Sequence, residues 1–173
     1  MHPQDFLQII KNRRSIRKYE EREIPQEILI DLIDCGRLAP TGYNAQPWVF
    51  VVVIDKNLKA RIAQLATYGR FIKEAGACIA VFCRKDAVTP LEDACAATEN
   101  IIIAACAYGL GTCWVNSYRK AHSRKVEALL GCPENMELMT LLAVGHPAEH
   151  PSRSKKALNE VLYWERFERG LPS

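Results

Sequence analysis

Seven cysteines stand in the 173 residues, an odd number, yet no two of them are separated by a two-residue gap. That absence argues against a redox dithiol or a zinc knuckle. Free thiols packed as small apolar groups remain as the expectation for Cys35, Cys78, Cys83, Cys95, Cys106, Cys113 and Cys132, and they suit a reducing compartment. The start of the chain, Met1-His2-Pro3-Gln4-Asp5, lacks the basic segment and apolar stretch of a signal peptide. The longest apolar run, around Ile101–Ala107, is far shorter than the ~20 residues of a membrane helix. A soluble, cytoplasmic protein with no membrane partner is expected. Charge of one sign is also scarce. The 23 Lys and Arg nearly balance 20 Asp and Glu, for a net charge of +3, and no lysine-rich tail points to nucleic acid. Repeats, low-complexity stretches and domain linkers are missing too, so residues 1–173 read as one domain, long enough to bury its own core.

Catalytic signatures are equally sparse. Gly109-x-Gly111 follows a helical pattern instead of a strand and lacks the third glycine of a dinucleotide fingerprint. No serine–histidine–acid set or paired carboxylates stand out. His146 and His150 are separated by three residues, but two prolines break any helix that would align them, which argues against a metal site. With no strong nucleophile of its own, an enzyme of this sequence would leave the hard chemistry to a bound cofactor.

What the chain does have is a polar loop, Pro40-Thr41-Gly42-Tyr43-Asn44-Ala45-Gln46-Pro47-Trp48, leading into the apolar run Val49–Ile54. Asn44 and Gln46 each carry a donor and an acceptor fit for an amide or imide edge, and alternation along an extended chain would put them on one side. The competing expectation is that they only cap a turn. Upstream lies Arg13-Arg14-Ser15-Ile16-Arg17. Three guanidiniums so close together suit an anion, phosphate above all. Alternatively they form a solvated helix end neutralised by Glu20, Glu21 and Glu23. Gly109-Leu110-Gly111-Thr112-Cys113-Trp114 allows either close approach to a ligand or plain helix termination. Gly145-His146-Pro147 runs on to Arg153, Lys155 and Lys156, a second basic cluster.

The periodicity predicts a first helix ending near Arg14, a second opened by Pro25 and stopped before Pro40, a third around Leu58–Leu65, and a core helix from Leu91 to Tyr108. Ser123 is expected to cap a further helix reaching Leu130, and a terminal helix is expected from Asn159 through Tyr163, Trp164 and Phe167. Strands are expected at Trp48–Ile54 (buried on both faces), Ala77–Cys83 and Glu137–Val144, with a short extended piece at Cys113–Val115. Together these elements make an α+β or α/β arrangement around one sheet.

Taken in order, the Arg-Arg-Ser-x-Arg start, the Pro-x-x-x-Asn-x-Gln-Pro-Trp loop, the Gly-Leu-Gly-Thr-Cys-Trp turn and the late Gly-His-Pro closely resemble the nitroreductase family of FMN-dependent oxidoreductases, over about Phe6 to Phe167. The resemblance implies an α+β fold with a central mixed sheet flanked by helices, and an intertwined homodimer with FMN at the subunit interface. By position, Arg13, Arg14, Ser15 and Arg17 would hold the phosphate, the ribityl chain and one flavin edge. Pro40, Thr41, Gly42, Asn44 and Gln46 would reach the same FMN from the other subunit. Asn116 and Ser117 would offer backbone N–H groups to flavin N5 and O4, and Arg153 and Lys155 would close on the phosphate. The implied activity is hydride transfer from NAD(P)H through flavin N5 to nitroaromatics, quinones or similar small acceptors. The alternatives are a flavin-binding or sensing module without turnover, or a specialised reductase of the same fold. Two departures stand out: Asn116 replaces a common glycine, and Tyr68-Gly69 replaces an amide that often meets the flavin pyrimidine edge.

Overall fold

A computed structural model describes residues 3–167. Four strands, β1 (Trp48–Val53), β2 (Ala77–Arg84), β3 (Gly111–Asn116) and β4 (Met136–Gly145), form one sheet in the order β1-β2-β4-β3. All three strand pairs are antiparallel. The parallel component of the expected mixed sheet is an isolated bridge between Ser15 and Thr112. Alternation along β2 sends Ile79, Val81 and Cys83 to one buried face and Cys78, Ala80 and Phe82 to the other. The first face is covered by α2 (Gln26–Arg37) and α4 (Pro90–Ala107), through Leu32, Ala97 and Ile101. The second is covered by α3 (Lys56–Leu65) and α5 (Ser123–Leu129), through Ile62, Ala63 and Val126. Helix α1 (Pro3–Asn12) lies against α4.

The apolar faces and breakers place these elements where the pattern predicts. Pro25 immediately precedes α2, and Pro90 sits in the first turn of α4, where a missing N–H leaves nothing unpaired. Met139 is an extra residue in β4, since Leu138 pairs with Phe82 and Thr140 with Val81. This bulge lets Leu138 and Leu141 face the same core.

Three expectations fail. β1 is an edge strand, not one buried on both faces, and Val49 is 50% exposed. Ser123 does not cap α5. The cap position belongs to His122 and carries no side-chain bond, while the Ser123 hydroxyl donates to the Ser117 carbonyl. Around Asn159 the described residues form a short 3-10 turn, Leu158–Glu160, and no helix through Phe167, with Trp164 53% exposed.

Two glycines decide where the N-terminal segment runs. Gly111 and Gly145 face each other across the β3–β4 pair. A Cβ on Gly111 would stand 2.6 Å from Ile16 Cγ1, and one on Gly145 2.7 Å from Tyr19 Cδ1. Their bare backbones let residues 15–20 cross the end of the sheet. There the Ile16 N–H donates to the Thr112 carbonyl at 2.8 Å and the Glu20 N–H to the His146 carbonyl at 2.9 Å.

Candidate functional site

The arginine segment leaves α1 at Asn12 and becomes extended, so Arg13 and Arg17 do not share a helix face. Four extended residues separate their Cα atoms by about 13 Å. Arg13 lines a cleft of about 490 Å³ together with Asn12, Cys106, Gly111, Glu149 and Ser152. Arg17 points elsewhere, its guanidinium 5.9 Å from the centre of the Phe71 ring. Half-buried Ser15 sits between them, on the bridge to Thr112. This spacing suits a long ligand, anionic at the Arg13 end and flat at the Arg17 end.

The expected alternative, neutralisation by nearby acids, does not occur. Glu21 pairs with Lys56 at 2.9 Å, and among the described residues Arg13, Arg14 and Arg17 form no ion pair. Arg14 is nevertheless committed. Its Nη1 donates to the Lys11 and Arg13 carbonyls at 2.8 Å each, capping the end of α1. Arg14 lines the cleft mainly as a structural cation; Arg13 and Arg17 remain free for a ligand.

The polar loop is not extended. Residues Gly42–Asn44 form a 3-10 turn, and Tyr43, Asn44 and Gln46 hold positive φ values of 54°, 55° and 45°. Such backbone costs about 1 kcal/mol or more at each non-glycine position, so the loop is held against its own preference. The holding group is Asp93 of α4. Its buried carboxylate accepts the Gly42 N–H at 3.1 Å and the Thr89 hydroxyl at 3.2 Å. Thr41 Oγ1 accepts the Gln46 N–H at 3.2 Å. Thr41 and Gly42 therefore shape the loop, and Pro40 follows the end of α2. The Asn44 and Gln46 amides meet through the turn, Gln46 Nε2 donating to Asn44 Oδ1 at 3.1 Å. This leaves Asn44 Nδ2 as a donor and Gln46 Oε1 as an acceptor, the two groups an imide edge requires.

Asn116 and Ser117 separate in the register. Ser117 donates its N–H to the Met139 carbonyl at 3.2 Å and is fully buried, which takes that N–H away from any ligand. The residues flanking a hydrogen-bonded antiparallel pair point their N–H groups the other way. Asn116, opposite Thr140, therefore directs its N–H off the free edge of β3, the side on which Thr112 receives Ile16. A buried knot fixes this corner: His122 Nε2 lies 3.0 Å from Ser117 Oγ, and Ser123 Oγ donates to the Ser117 carbonyl.

The Gly109–Trp114 turn serves the chain as well as the cleft, which Gly109, Leu110 and Gly111 line. Gly109 ends α4 at φ 70°, and Gly111 makes room for Ile16. Arg153 and Lys155 are exposed and form no ion pair among the described residues; the cleft lining from this segment ends at Ser152. Tyr68 is 88% exposed, close in sequence to Phe71. No group of three or more His, Cys, Asp or Glu among the described residues is placed to hold a metal. Burial raises all seven free thiols above their ordinary value, Cys78 and Cys83 to about 12. Phe71, Asp93, His122 and Glu149 are site residues that the motifs did not expose.

Similarity to known proteins agrees with this geometry. The sequence model of the nitroreductase family matches residues 10–68 and 65–146. A protein of Methanothermobacter thermautotrophicus, named as an NADH dehydrogenase/NAD(P)H nitroreductase, is 33% identical over 152 residues, 85% of this chain and 80% of that protein. The structure of an FMN-dependent nitroreductase from Clostridium difficile superposes with a TM-score of 0.88 at 26% identity, covering 93% of this chain and 99% of that one. An iodotyrosine deiodinase of Thermotoga neapolitana is 29% identical over 179 residues, covering 89% of this chain and 94% of the deiodinase. By sequence, by fold and by the order of its motifs, the chain belongs to the nitroreductase family.

Proposed function

We propose that the chain is an FMN-dependent oxidoreductase that moves a hydride from NAD(P)H to nitroaromatics, quinones or similar electron-poor acceptors, acting as a homodimer. When bound, FMN supplies the hydride chemistry at its N5. The chain supplies the binding and the electrostatics. Arg13, with Ser152 beside it, is placed for the phosphate, and Arg153 and Lys155 follow in the same segment. Ser15 suits the ribityl chain. Arg17 brings a fixed positive charge toward the ring, where negative charge develops on reduction. Asn116 adds an N–H from the open edge of β3.

The observation that carries the dimer is the separation of the two half-sites along α4. The arginine cleft includes Cys106 near one end of that helix, and the Asn44–Gln46 loop is tied to Asp93 near the other. Thirteen helical residues span about 20 Å. Asn44 and Gln46 of one copy would therefore serve the flavin held by Arg13 and Arg17 of a second copy. Phe6, Leu7 and Ile10 on α1 and Ile30 on α2 are exposed apolar side chains suited to that contact.

The test is the absorption spectrum of the purified protein loaded with FMN, followed anaerobically on adding NADH or NADPH. Bleaching, and its reversal by a nitroaromatic or a quinone, is the expected result. Bound flavin that does not bleach would leave a binding module without turnover. Reductive dehalogenation is a second possibility because of the deiodinase relative. Its alignment of 179 positions exceeds this chain's 173 residues, so the deiodinase carries residues missing here. Failure to release iodide from 3-iodotyrosine under dithionite would eliminate that activity.

A further inference from the structure

Glu149 puts a carboxylate in the cleft that Arg13, Arg14 and His150 line. It forms no ion pair with any of them. Its Oε1 instead accepts two successive backbone N–H groups, from Arg17 at 2.6 Å and Lys18 at 3.2 Å. The surrounding backbone fixes it there, with the Ala148 N–H on the Lys18 carbonyl and the Glu20 N–H on the His146 carbonyl, both at 2.9 Å. Consecutive N–H groups of this kind form a nest for an anion, and here the protein fills the nest with its own side chain.

We propose that Glu149 is a positioning and specificity residue for the phosphate end of the site. It sets the path of the segment that presents Arg13 and Arg17. Its charge also offsets the arginines, so that a phosphate group alone binds weakly and retention depends on the flavin ring as well. The cleft thereby discriminates a phosphorylated flavin from free phosphate. This rests on the FMN assignment above.

Glu149→Gln keeps an oxygen for the two N–H groups and removes the charge; Glu149→Asp keeps the charge and draws the oxygen back from the nest. Dissociation constants for FMN and riboflavin, read from quenching of flavin fluorescence, separate the two roles. So does the concentration of inorganic phosphate that displaces FMN. Glu149→Gln is expected to bind FMN roughly two- to fivefold more tightly at low salt, with riboflavin unchanged. With FMN held at its own dissociation constant in each protein, the phosphate that half-displaces it should fall by a similar factor, and both differences should shrink in high salt. Glu149→Asp is expected to weaken both flavins, FMN the more. Equal FMN affinity in wild type and Glu149→Gln, or tightening shared by riboflavin, would overturn the charge role. If Glu149→Gln does not fold, Glu149→Asp still decides: unchanged affinity for both flavins would overturn the positioning role. A wild type that does not prefer FMN over riboflavin would instead refute the FMN assignment itself.

Discussion

Arg13 and Arg14 are neighbours with different employment, and the difference is set by hydrogen bonds. Arg14 caps α1 through two carbonyls, whereas Arg13 faces the cleft with no acidic partner. Arg13→Ala should therefore weaken FMN binding roughly ten- to hundredfold and leave riboflavin nearly unaffected, as titration of flavin fluorescence would show. Arg14→Ala should act mainly on stability. His122 gives a second prediction at this scale. Burial, and then the charge of Lys120, hold it below its ordinary value of 6.5. The unfolded chain therefore takes up the proton first as pH falls. Its contribution to stability is complete above about 6.5 and declines between that pH and the lower folded value. Urea midpoints measured from pH 7.5 to 5 should show the decline, and His122→Asn should remove that part of it. These roles were not legible in the sequence. Nothing in His-Ser-Arg-Lys announces that His122 will meet Ser117, because the contact depends on how the chain turns after β3.

At the scale of elements, legibility followed apolar pattern and breakers. Ala77–Arg84 and Pro90–Ala107 emerged close to their expected bounds because each is a sustained apolar run with a clear stop. β1 misled because Val49–Val53 is continuously apolar, and composition alone does not distinguish a central strand from an edge whose outer side awaits a partner. The aromatics after Asn159 misled in the opposite direction, offering helical spacing where the described chain forms a 3-10 turn and leaves Trp164 and Phe167 exposed. The glycine turn was read as either a helix stop or room for a ligand; Gly109 is the stop, and the space at Gly111 is taken by Ile16. A Cβ there would approach Ile16 Cβ to 2.8 Å, a clash that a tip rotation does not relieve. Gly111→Ala should cost about 1–3 kcal/mol in urea unfolding and should weaken FMN by displacing the arginine segment. On the other half-site, Asp93→Ala removes the acceptor that holds Gly42. It should cost about 1–3 kcal/mol and loosen the strained loop, with loss of flavin affinity at unchanged Arg13 geometry.

For the whole molecule, no helix of the described residues is long and apolar enough to cross a membrane. The exposed apolar side chains of α1 and α2 are the surface that the proposed second copy would cover. If the flavin site joins the arginine segment of one copy to the amide loop of the other, flavin retention must depend on protein concentration. Dilution until size-exclusion chromatography shows only monomer should release FMN, and a monomer that keeps it would exclude the shared site. The residues of each half-site were visible in the sequence as separate motifs. Their distance along α4, on which the proposal of a shared site rests, required the fold.

The arginine segment also fixes when the site can exist. Residues 15–20 are anchored by Thr112, His146, Ala148 and Glu149, with 132 positions between Arg17 and Glu149. Contacts so distant along the chain close only after the intervening sheet has formed. On the ribosome, the first residues of the site to be made must wait for nearly the last. The cleft is therefore a late product of folding, and flavin bound there would report that the segment carrying Glu149 has joined the sheet.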